Sequence, residues 1–235
     1  MKQTVYLVDG NAARRSRVQT AIRASGLAVD SHASAEALLE ALLPDAAGCA
    51  VAELCLPGMS GLALQEDLAA RRPPVPIVLI SGRPDVSSAV HAIKRGAVDF
   101  LNRPLRSKRL MQSIRAALKR DVRDRAAHRK RLAIESRVRS LTAREHEVLE
   151  LVVLGEANKN IARVLGLSHK TIEAHRATMM QKMRADSLAA LVHLVHKADM
   201  DDPTLQLGLT RGKRRAFLLG LTKETASKKA ADRPG

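Results

Sequence analysis

Three things that the sequence lacks narrow the class of protein before any motif is considered. Tryptophan is absent and aromatic residues are only 1% of the chain, so its cores are expected to come from aliphatic side chains within the 46% that is apolar. No apolar run reaches the roughly 18 residues of a membrane span, and the N-terminus lacks a signal-peptide apolar region. The sequence therefore predicts a cytoplasmic protein that does not enter a membrane, and its 235 residues are enough for two domains.

Cysteine is also scarce. The two cysteines, Cys49 and Cys55, are too few and too close for a metal cluster or a disulfide framework, so reduced thiols are expected. A redox-sensing role for Cys55 has no activating neighbour in the sequence to support it, and we expect a bystander thiol.

Acidic residues are too few to balance the basic ones, and the net charge of +16 favours a polyanionic partner. Residues 1–104 hold 11 basic and 10 acidic side chains, whereas 105–140 hold 13 and 3. Residues 141–199 hold 8 and 7, and 200–235 hold 8 and 4. The excess charge therefore lies in a middle segment and in the tail.

Residues 142–183 have the pattern of a helix-turn-helix. Thr142 and Glu145 form a capping box that begins a first helix, and a second helix is predicted over 158–165. Ser168, at the end of the turn that follows, is the expected cap of a third helix. Helix, turn and recognition helix in this order are typical of a DNA-binding module.

The predicted third helix has two faces. At helical spacing Ile172, His175, Met179 and Met183 share one face and are expected to pack inward. The opposite face is expected to meet DNA: small residues allow close approach, Glu173 accepts from a cytosine amine, and basic side chains bind phosphates. The predicted DNA contacts are Lys159, Lys170, Thr171, Glu173, Ala174, Arg176, Ala177 and Lys182.

This segment resembles the C-terminal DNA-binding domain of LuxR/NarL/FixJ-type regulators, through LTAREHEVLELV, NKNIA, LGLS, KTIEAHR and QKM. The resemblance implies double-stranded DNA as the partner. Ala157 stands where that family usually has a Ser or Thr cap, so Asn158 is expected to cap the second helix instead. The last helix of the family dimerises on DNA, which implies a homodimer on two half-sites. The expected dimer contacts are Leu188, Leu191, Val192 and Val195.

The first hundred residues alternate short apolar runs with amphipathic stretches, which predicts an α/β fold with a doubly wound parallel sheet. Any ligand site is then expected at the carboxyl ends of the strands, which carry Asp9, Glu53, Ser81 and Arg103. The predicted strands are 4–8, 49–52, 75–80 and 98–101, and the predicted helices are 12–25, 34–43, 61–71 and 86–96.

These residues are similar to a two-component receiver domain of the FixJ branch, which is flavodoxin-like. The similarity lies in VYLVDGNAA, GCAVAELCLPGMSGL, PIVLISGRPDV and AVDFLNRPL. In that family an acidic pair holds Mg²⁺, an Asp accepts the phosphoryl group, and a Ser or Thr and a Lys bind it. The resemblance also implies a histidine kinase or a partner regulator as a binding partner.

Several positions depart from the receiver pattern. Asp9 keeps the first acid but Gly10 replaces the second, and Asn11 is a weak substitute, so Mg²⁺ binding is expected to be weak or absent and no cofactor is predicted. Glu53 stands at the phosphoacceptor position, where its extra methylene disturbs the positioning that in-line transfer needs. Arg103 replaces the Lys, and its planar fork predicts a standing ion pair with Glu53.

Two hypotheses follow for this degenerate pocket. In one, Glu53 acts as a permanent negative group, Ser81 and Arg103 respond to it, and Phe100 turns inward, so that the regulator is always on. In the other, the pocket has lost its chemistry and the domain survives as a dimerisation or docking surface. A Glu carries one charge, against roughly −2 for a phosphoryl group, which favours the second hypothesis.

The predicted organisation is a pseudo-receiver over 1–119, a basic helical linker over 120–138, a helix-turn-helix domain over 139–199 and a basic, largely irregular tail over 200–235. The linker has no Pro or Gly, so it is predicted to continue a helix that couples the domains stiffly, with Leu132, Ile134 and Val138 available to pair with a second subunit. A solvated spacer is the alternative. Its charge is expected to attract phosphate and add salt dependence to binding.

The sequence thus predicts a sequence-specific DNA-binding transcription regulator, not an enzyme, that acts without phosphorylation of its receiver. One alternative is a signalling adaptor that binds a histidine kinase or another regulator. A nonspecific nucleic-acid binder, with steep salt dependence and no sequence preference, is the other.

Overall fold

The structure is a computed structural model that describes residues 3–83 and 86–201, with side chains described up to Val195. The chain forms two compact units that divide between His128 and Arg129, inside the predicted linker. The predicted basic tail lies outside the described residues from position 202 onward.

The first unit is built on a five-stranded parallel sheet in the order β2-β1-β3-β4-β5. This order confirms the predicted doubly wound, flavodoxin-like fold, and places its switch point between β1 and β3. The strands are β1 (Thr4–Val8), β2 (Ala28–His32), β3 (Gly48–Glu53), β4 (Ile77–Ser81) and β5 (Asp99–Asn102). The helices are α1 (Ala12–Arg23), α2 (Ala35–Ala41), α3 (Gly61–Ala70), α4 (Val86–Lys94) and α5 (Ser107–Arg139).

Helices cover both faces of this sheet, and each face has its own apolar core. One core joins Leu38 of α2, Leu64 and Leu68 of α3, and Ala92 of α4 to the sheet. The other joins α1 and α5 to the opposite face, through residues such as Ile22 and Ile114. Because β3 and β4 are buried along their whole length, their apolar sequences fit central strands of a parallel sheet.

In the second unit, the described residues up to position 201 form four further helices: α6 (Ala143–Val153), α7 (Asn158–Leu165), α8 (His169–Met183) and α9 (Leu188–Asp201). Their core includes Leu149, Ile161, Ile172 and Met179, all at most 1% exposed. Gly166 ends α7 with a φ of 65°, a left-handed conformation that glycine adopts at little cost.

The C-terminal end of α5 also contributes to the second core. Ile134 and Val138 are buried there, at 6% and 9% exposure, whereas Leu132 is 46% exposed. The prediction that Ile134 and Val138 pair with a second subunit is therefore wrong, because their apolar surface is used within their own domain. No helix within the described part of the chain is long and apolar enough to span a bilayer.

Candidate functional sites

Two acids and one arginine meet at the carboxyl ends of the strands. Asp9 follows β1 and Glu53 ends β3, and these side chains are buried at 2% and 4% exposure. Arg103, just after β5, places Nη2 3.0 Å from Asp9 Oδ2 and 2.7 Å from Glu53 Oε2, with Nε 3.2 Å from the same Glu53 oxygen. The predicted Glu53–Arg103 ion pair is confirmed, and it extends to Asp9.

Two arginines of α1 complete the surroundings of Asp9, and neither was singled out from the sequence. Arg14 donates from Nη2 to Asp9 Oδ1 at 3.0 Å and from Nε to Oδ2 at 3.2 Å, while Arg15 donates to the Asp9 backbone carbonyl. The hydrogen bond to Asp9 raises the pKa of Arg14. Both carboxylate oxygens of Asp9 are thus engaged by guanidinium groups. Their spacing in the sequence could have indicated these contacts, since Arg14 and Arg15 lie within the first turns of the helix that follows Asp9.

The two positions beside Asp9 offer no further side-chain oxygen to the pocket. Gly10 has no side chain, and a Cβ added there would lie 2.9 Å from Cδ of Pro57. Asn11 caps α1, because its Oδ1 accepts from the backbone N–H of Arg14 at 2.9 Å. The Asn11 oxygen, expected to be at most a weak substitute for a metal ligand, thus stabilises the N-terminus of α1.

Ser81 and Phe100 lie at the edge of the same region. The Ser81 hydroxyl donates to the backbone carbonyl of Arg83 at 2.8 Å and accepts from its N–H at 3.2 Å, so it closes its own loop. A direct response of Ser81 to Glu53, expected in the always-on hypothesis, has no counterpart among these contacts. Phe100 is partly buried and packs against the core of the α2, α3 and α4 layer.

The two cysteines occupy different environments. Cys49 lies within β3 and is fully buried, and burial raises the pKa of its thiol. Cys55 is exposed on the loop after β3. Both are free thiols, as expected from their spacing.

Helix α8 has the two faces that its sequence predicts. Ile172, Met179 and Met183 are fully buried, and His175 is half-buried. Lys170, Glu173, Ala174 and Ala177 are exposed on the other side. Ser168 caps the helix as predicted, since its Oγ accepts from the N–H of Thr171 at 3.1 Å. The exposed face combines a cation, an acid and two small residues, a set suited to contact with base edges and phosphates.

Comparison with known proteins identifies both units. The family described as "Bacterial regulatory proteins, luxR family" matches residues 139–195, and the response regulator receiver domain matches residues 5–115. Transcriptional regulatory protein FixJ of Azorhizobium caulinodans is 39% identical over 203 residues, which cover 85% of this chain and 96% of that protein. The chain belongs to the FixJ-type response regulators.

Other relatives agree with this response-regulator assignment. Nodulation protein W of Bradyrhizobium diazoefficiens is 38% identical over 193 residues, covering 82% of this chain and 85% of that protein. The structure of the response regulator StyR covers 84% of this chain and all of its own, at 38% identity and a TM-score of 0.72. Full-length FixJ from B. japonicum covers 85% of this chain and 98% of its own, at 37% identity and a TM-score of 0.51. The protein is thus a DNA-binding transcription regulator with a receiver domain, as predicted.

Some predicted DNA contacts of this regulator also have partners within the domain. Arg176 donates from Nη1 to Asn158 Oδ1 at 2.8 Å, and Glu173 Oε1 lies 3.5 Å from His169 Nδ1. The expected cap at Asn158 is wrong: α7 begins after Ala157 with no side-chain cap. Asn158 is instead the first helical residue, and its amide oxygen holds Arg176.

Lys182 joins α8 to the start of α6. Its Nζ lies 2.6 Å from Oε2 of Glu145, which is only 4% exposed and also accepts from the N–H of Thr142 at 2.8 Å. The hydrogen bond from Lys182, and after it that from Thr142, lowers the pKa of Glu145. The Lys182 amine is therefore committed within the domain, and its assignment to a DNA phosphate stays a prediction.

We expect Lys182→Met to destabilise the DNA-binding domain by about 1–3 kcal/mol at neutral pH, because the buried Glu145 carboxylate loses its cationic partner and keeps only the N–H of Thr142. The lowered pKa means that ionised Glu145 favours folding at pH values above its ordinary pKa of about 4.3, and that this stabilisation disappears as the pH falls through the lowered value. The loss of stability caused by Lys182→Met should therefore be smaller at acidic pH. Amide hydrogen exchange in α6 and α8 measures it, with exposed Lys159→Met as the matched control; equal protection in both variants would contradict the role of the pair.

Helix α9 corrects the predicted dimer surface of the regulator. Leu191 and Val195 are fully buried in the core of their own domain, so they are not available to a partner. Leu188 is 41% exposed and Val192 is half-buried. The spacing i, i+3, i+4, i+7 describes one apolar face, and in this helix most of that face packs inward.

Proposed function

We propose that this response regulator recognises a specific DNA site as a homodimer, that it does so without phosphorylation of its receiver, and that it is not an enzyme. The observation that carries the proposal is the bridge made by Arg103 between the buried carboxylates of Asp9 and Glu53. In a working receiver these positions serve the metal and the incoming phosphoryl group. Here a guanidinium bridges the two carboxylates.

The surroundings of Asp9 do not fit Mg²⁺. This ion demands near-ideal octahedral oxygen geometry and usually relies on one or two carboxylates. Asp9 is held by Arg14 and Arg103, Gly10 offers no ligand, and the Asn11 oxygen caps α1. A metal ion would have to displace two guanidinium groups from the remaining acid, so Mg²⁺ binding is weak or absent in this proposal.

The Glu53 carboxylate is equally unsuited to accept a phosphoryl group. Phosphoryl transfer depends mostly on positioning and on stabilisation of developing charge. Two hydrogen bonds from Arg103 hold one Glu53 oxygen, and the Ser81 hydroxyl is engaged by the backbone of Arg83. The groups that would orient and stabilise a phosphoryl group are therefore committed elsewhere.

The same contacts favour a structural pocket over a permanently activated one. The charge of Glu53 is compensated at 2.7 Å by Arg103, and Ser81 contacts its own loop. A single compensated carboxylate is a poor substitute for a phosphoryl group that carries roughly −2. We therefore infer that the receiver serves as a dimerisation or docking surface, and that Leu188 and Val192 supply the accessible part of the DNA-bound dimer contact.

We expect operator selection from random duplexes to enrich the same site whether or not the full-length protein is first treated with acetyl phosphate and Mg²⁺. The physical reason is that recognition resides in α8, whereas the strand-end pocket that would respond to treatment is already satisfied by arginine. The affinity for the selected site, measured by fluorescence anisotropy in both states, should agree within twofold.

Two variants control this experiment. Glu53→Gln should leave affinity for the site unchanged, and a clear loss would support the permanently activated pocket instead. Glu53→Asp alone should gain no Mg²⁺-dependent label from acetyl phosphate, because Gly10 and the two arginines remain. Enrichment only after treatment would mean that the wild-type pocket still accepts a phosphoryl group. No enrichment in either state would favour the alternative of an adaptor that binds a kinase or another regulator.

A further inference from the structure

A row of basic side chains lies along the solvent face of α5 in the first unit. Lys108, Arg115, Lys119 and Arg123 are all exposed. At 3.6 residues per turn these four positions fall within an arc of about 80°, and at 1.5 Å per residue they extend over about 22 Å. The opposite face of the helix is buried against the sheet through residues such as Ile114. We call these four residues the basic row.

The acids of α5 do not compensate the basic row. Each acid on this helix pairs with an arginine at another angular position, and one further arginine pairs with an acid of β5. Those pairs are Arg109–Asp99, Arg120–Asp124, Arg125–Asp121 and Arg131–Glu135. Within residues 3–83 and 86–201, no acidic group lies at ion-pair distance from a side chain of the basic row. Between Ser107 and Ala127 the basic side chains of this helix thus fall into two groups, ion-paired arginines on the other faces and the four cations of the basic row along one line.

We propose that the basic row binds the phosphate backbone of the duplex DNA that α8 recognises. A DNA strand presents one phosphate per about 3.4 Å of helix axis, so the length of the row corresponds to about six base pairs. Four cations without an aromatic side chain among them suit a repeating charge better than they suit a protein interface, whose centre is enriched in aromatic and apolar residues. The inference rests on the proposed function for its ligand, because a chain bound through α8 holds the duplex at high effective concentration.

The test compares two full-length double variants that remove the same charge. Arg115→Gln with Lys119→Gln removes the middle of the basic row. Arg72→Gln with Lys94→Gln removes one exposed arginine from the loop after α3 and one exposed lysine from α4. Binding to the selected duplex and to a random duplex of equal length is measured by anisotropy between 50 and 200 mM salt.

Each phosphate contact contributes about 0.9 to the slope of log affinity against log salt, so loss of two contacts in each chain of the proposed homodimer should lower the slope by about 3.6. Between 50 and 200 mM salt the row variant should therefore lose about 150-fold less affinity than wild type does. The Arg72/Lys94 variant should keep the wild-type slope. Sequence discrimination, the ratio of the two affinities, should be unchanged in both variants because phosphate contacts carry no base information.

The outcomes separate this inference from the proposed function. If the salt slope of the row variant is unchanged, or if the slope falls equally in both variants, the basic row does not bind phosphates. Acidic proteins would then be the partner to test. If the salt slope falls only in the row variant, and the protein binds the selected and random duplexes equally well, the result would support phosphate binding by the basic row. It would also contradict sequence-specific recognition. A fall confined to the row variant, with preference for the selected site retained, is the result that we expect.

Discussion

Arg103→Ala is expected to destabilise the receiver by about 3–5 kcal/mol, the usual cost of leaving a buried charge without its partner. The effect should fall mainly on Glu53, which is 4% exposed and takes both of its hydrogen bonds in the pocket from Arg103. Asp9 keeps Arg14. Urea unfolding followed by the fluorescence of Tyr6 measures the effect in the full chain, because this single tyrosine lies in β1 and reports on the receiver alone.

Two variants show whether the pair itself is responsible. Adding Glu53→Gln to Arg103→Ala removes the unpaired charge and should restore a large part of the lost stability. Arg14→Ala should cost only about 1 kcal/mol or less, because the Arg14 side chain is 43% exposed and exposed ion pairs contribute little. A loss below about 1 kcal/mol for Arg103→Ala would mean that water solvates the pocket and that the carboxylates do not depend on the guanidinium.

This pocket shows how far the sequence could predict a site. The types of residue at the strand ends, and the pairing of Glu53 with Arg103, follow from the β-α alternation and from the matching geometry of carboxylate and guanidinium. The contacts of Arg14 and Arg15 with Asp9 do not follow from it. They depend on how the first turn of α1 leaves β1, where Asn11 acts as the cap. Arginine side chains are long enough to reach several acceptors, so their partners are decided by packing.

The fold, like the pocket, could be predicted from the sequence only in part. Four strands with strong apolar runs were predicted, but the sequence pattern missed β2, whose residues AVDSH include none that is fully buried. This strand lies at the sheet edge beside β1, where one-sided pairing and partial exposure leave a weak apolar signal. In α9 the opposite error arose, because the apolar spacing was correct but does not say whether a face meets its own core or a partner. Leu191 and Val195 meet their own core.

The buried polar contacts of the DNA-binding domain bear on which residues are free to recognise bases. Lys182 is held by Glu145 and Arg176 by Asn158, and both contacts orient α8 within its domain. Lys170, Ala174 and Ala177 remain exposed. The face that reaches DNA is therefore expected to depend on small residues as much as on charge, because the helix must approach the base edges closely.

We expect Ala174→Glu to lower the affinity for the selected operator by about two orders of magnitude or more. The added side chain occupies the surface where the backbone of α8 approaches the base edges, and its charge opposes the phosphates. A single mismatched base pair already costs about 1–3 kcal/mol of binding free energy, and a recognition helix held away from the groove loses contacts at more than one base pair. Anisotropy with the selected duplex at 150 mM salt measures this loss, with the fold checked by the exchange protection of α6 and α8.

Ala133→Glu is the matched control, since Ala133 is also exposed, also helical and belongs to the same unit. It makes the same change in net charge and should reduce affinity only severalfold. Glu173→Ala tests the choice of base instead. It should remove about 1–3 kcal/mol of discrimination at one base pair of the operator without changing the salt slope. If Ala174→Glu and Ala133→Glu bind the operator equally, the exposed face of α8 does not enter the groove, and recognition must lie on another element of the domain.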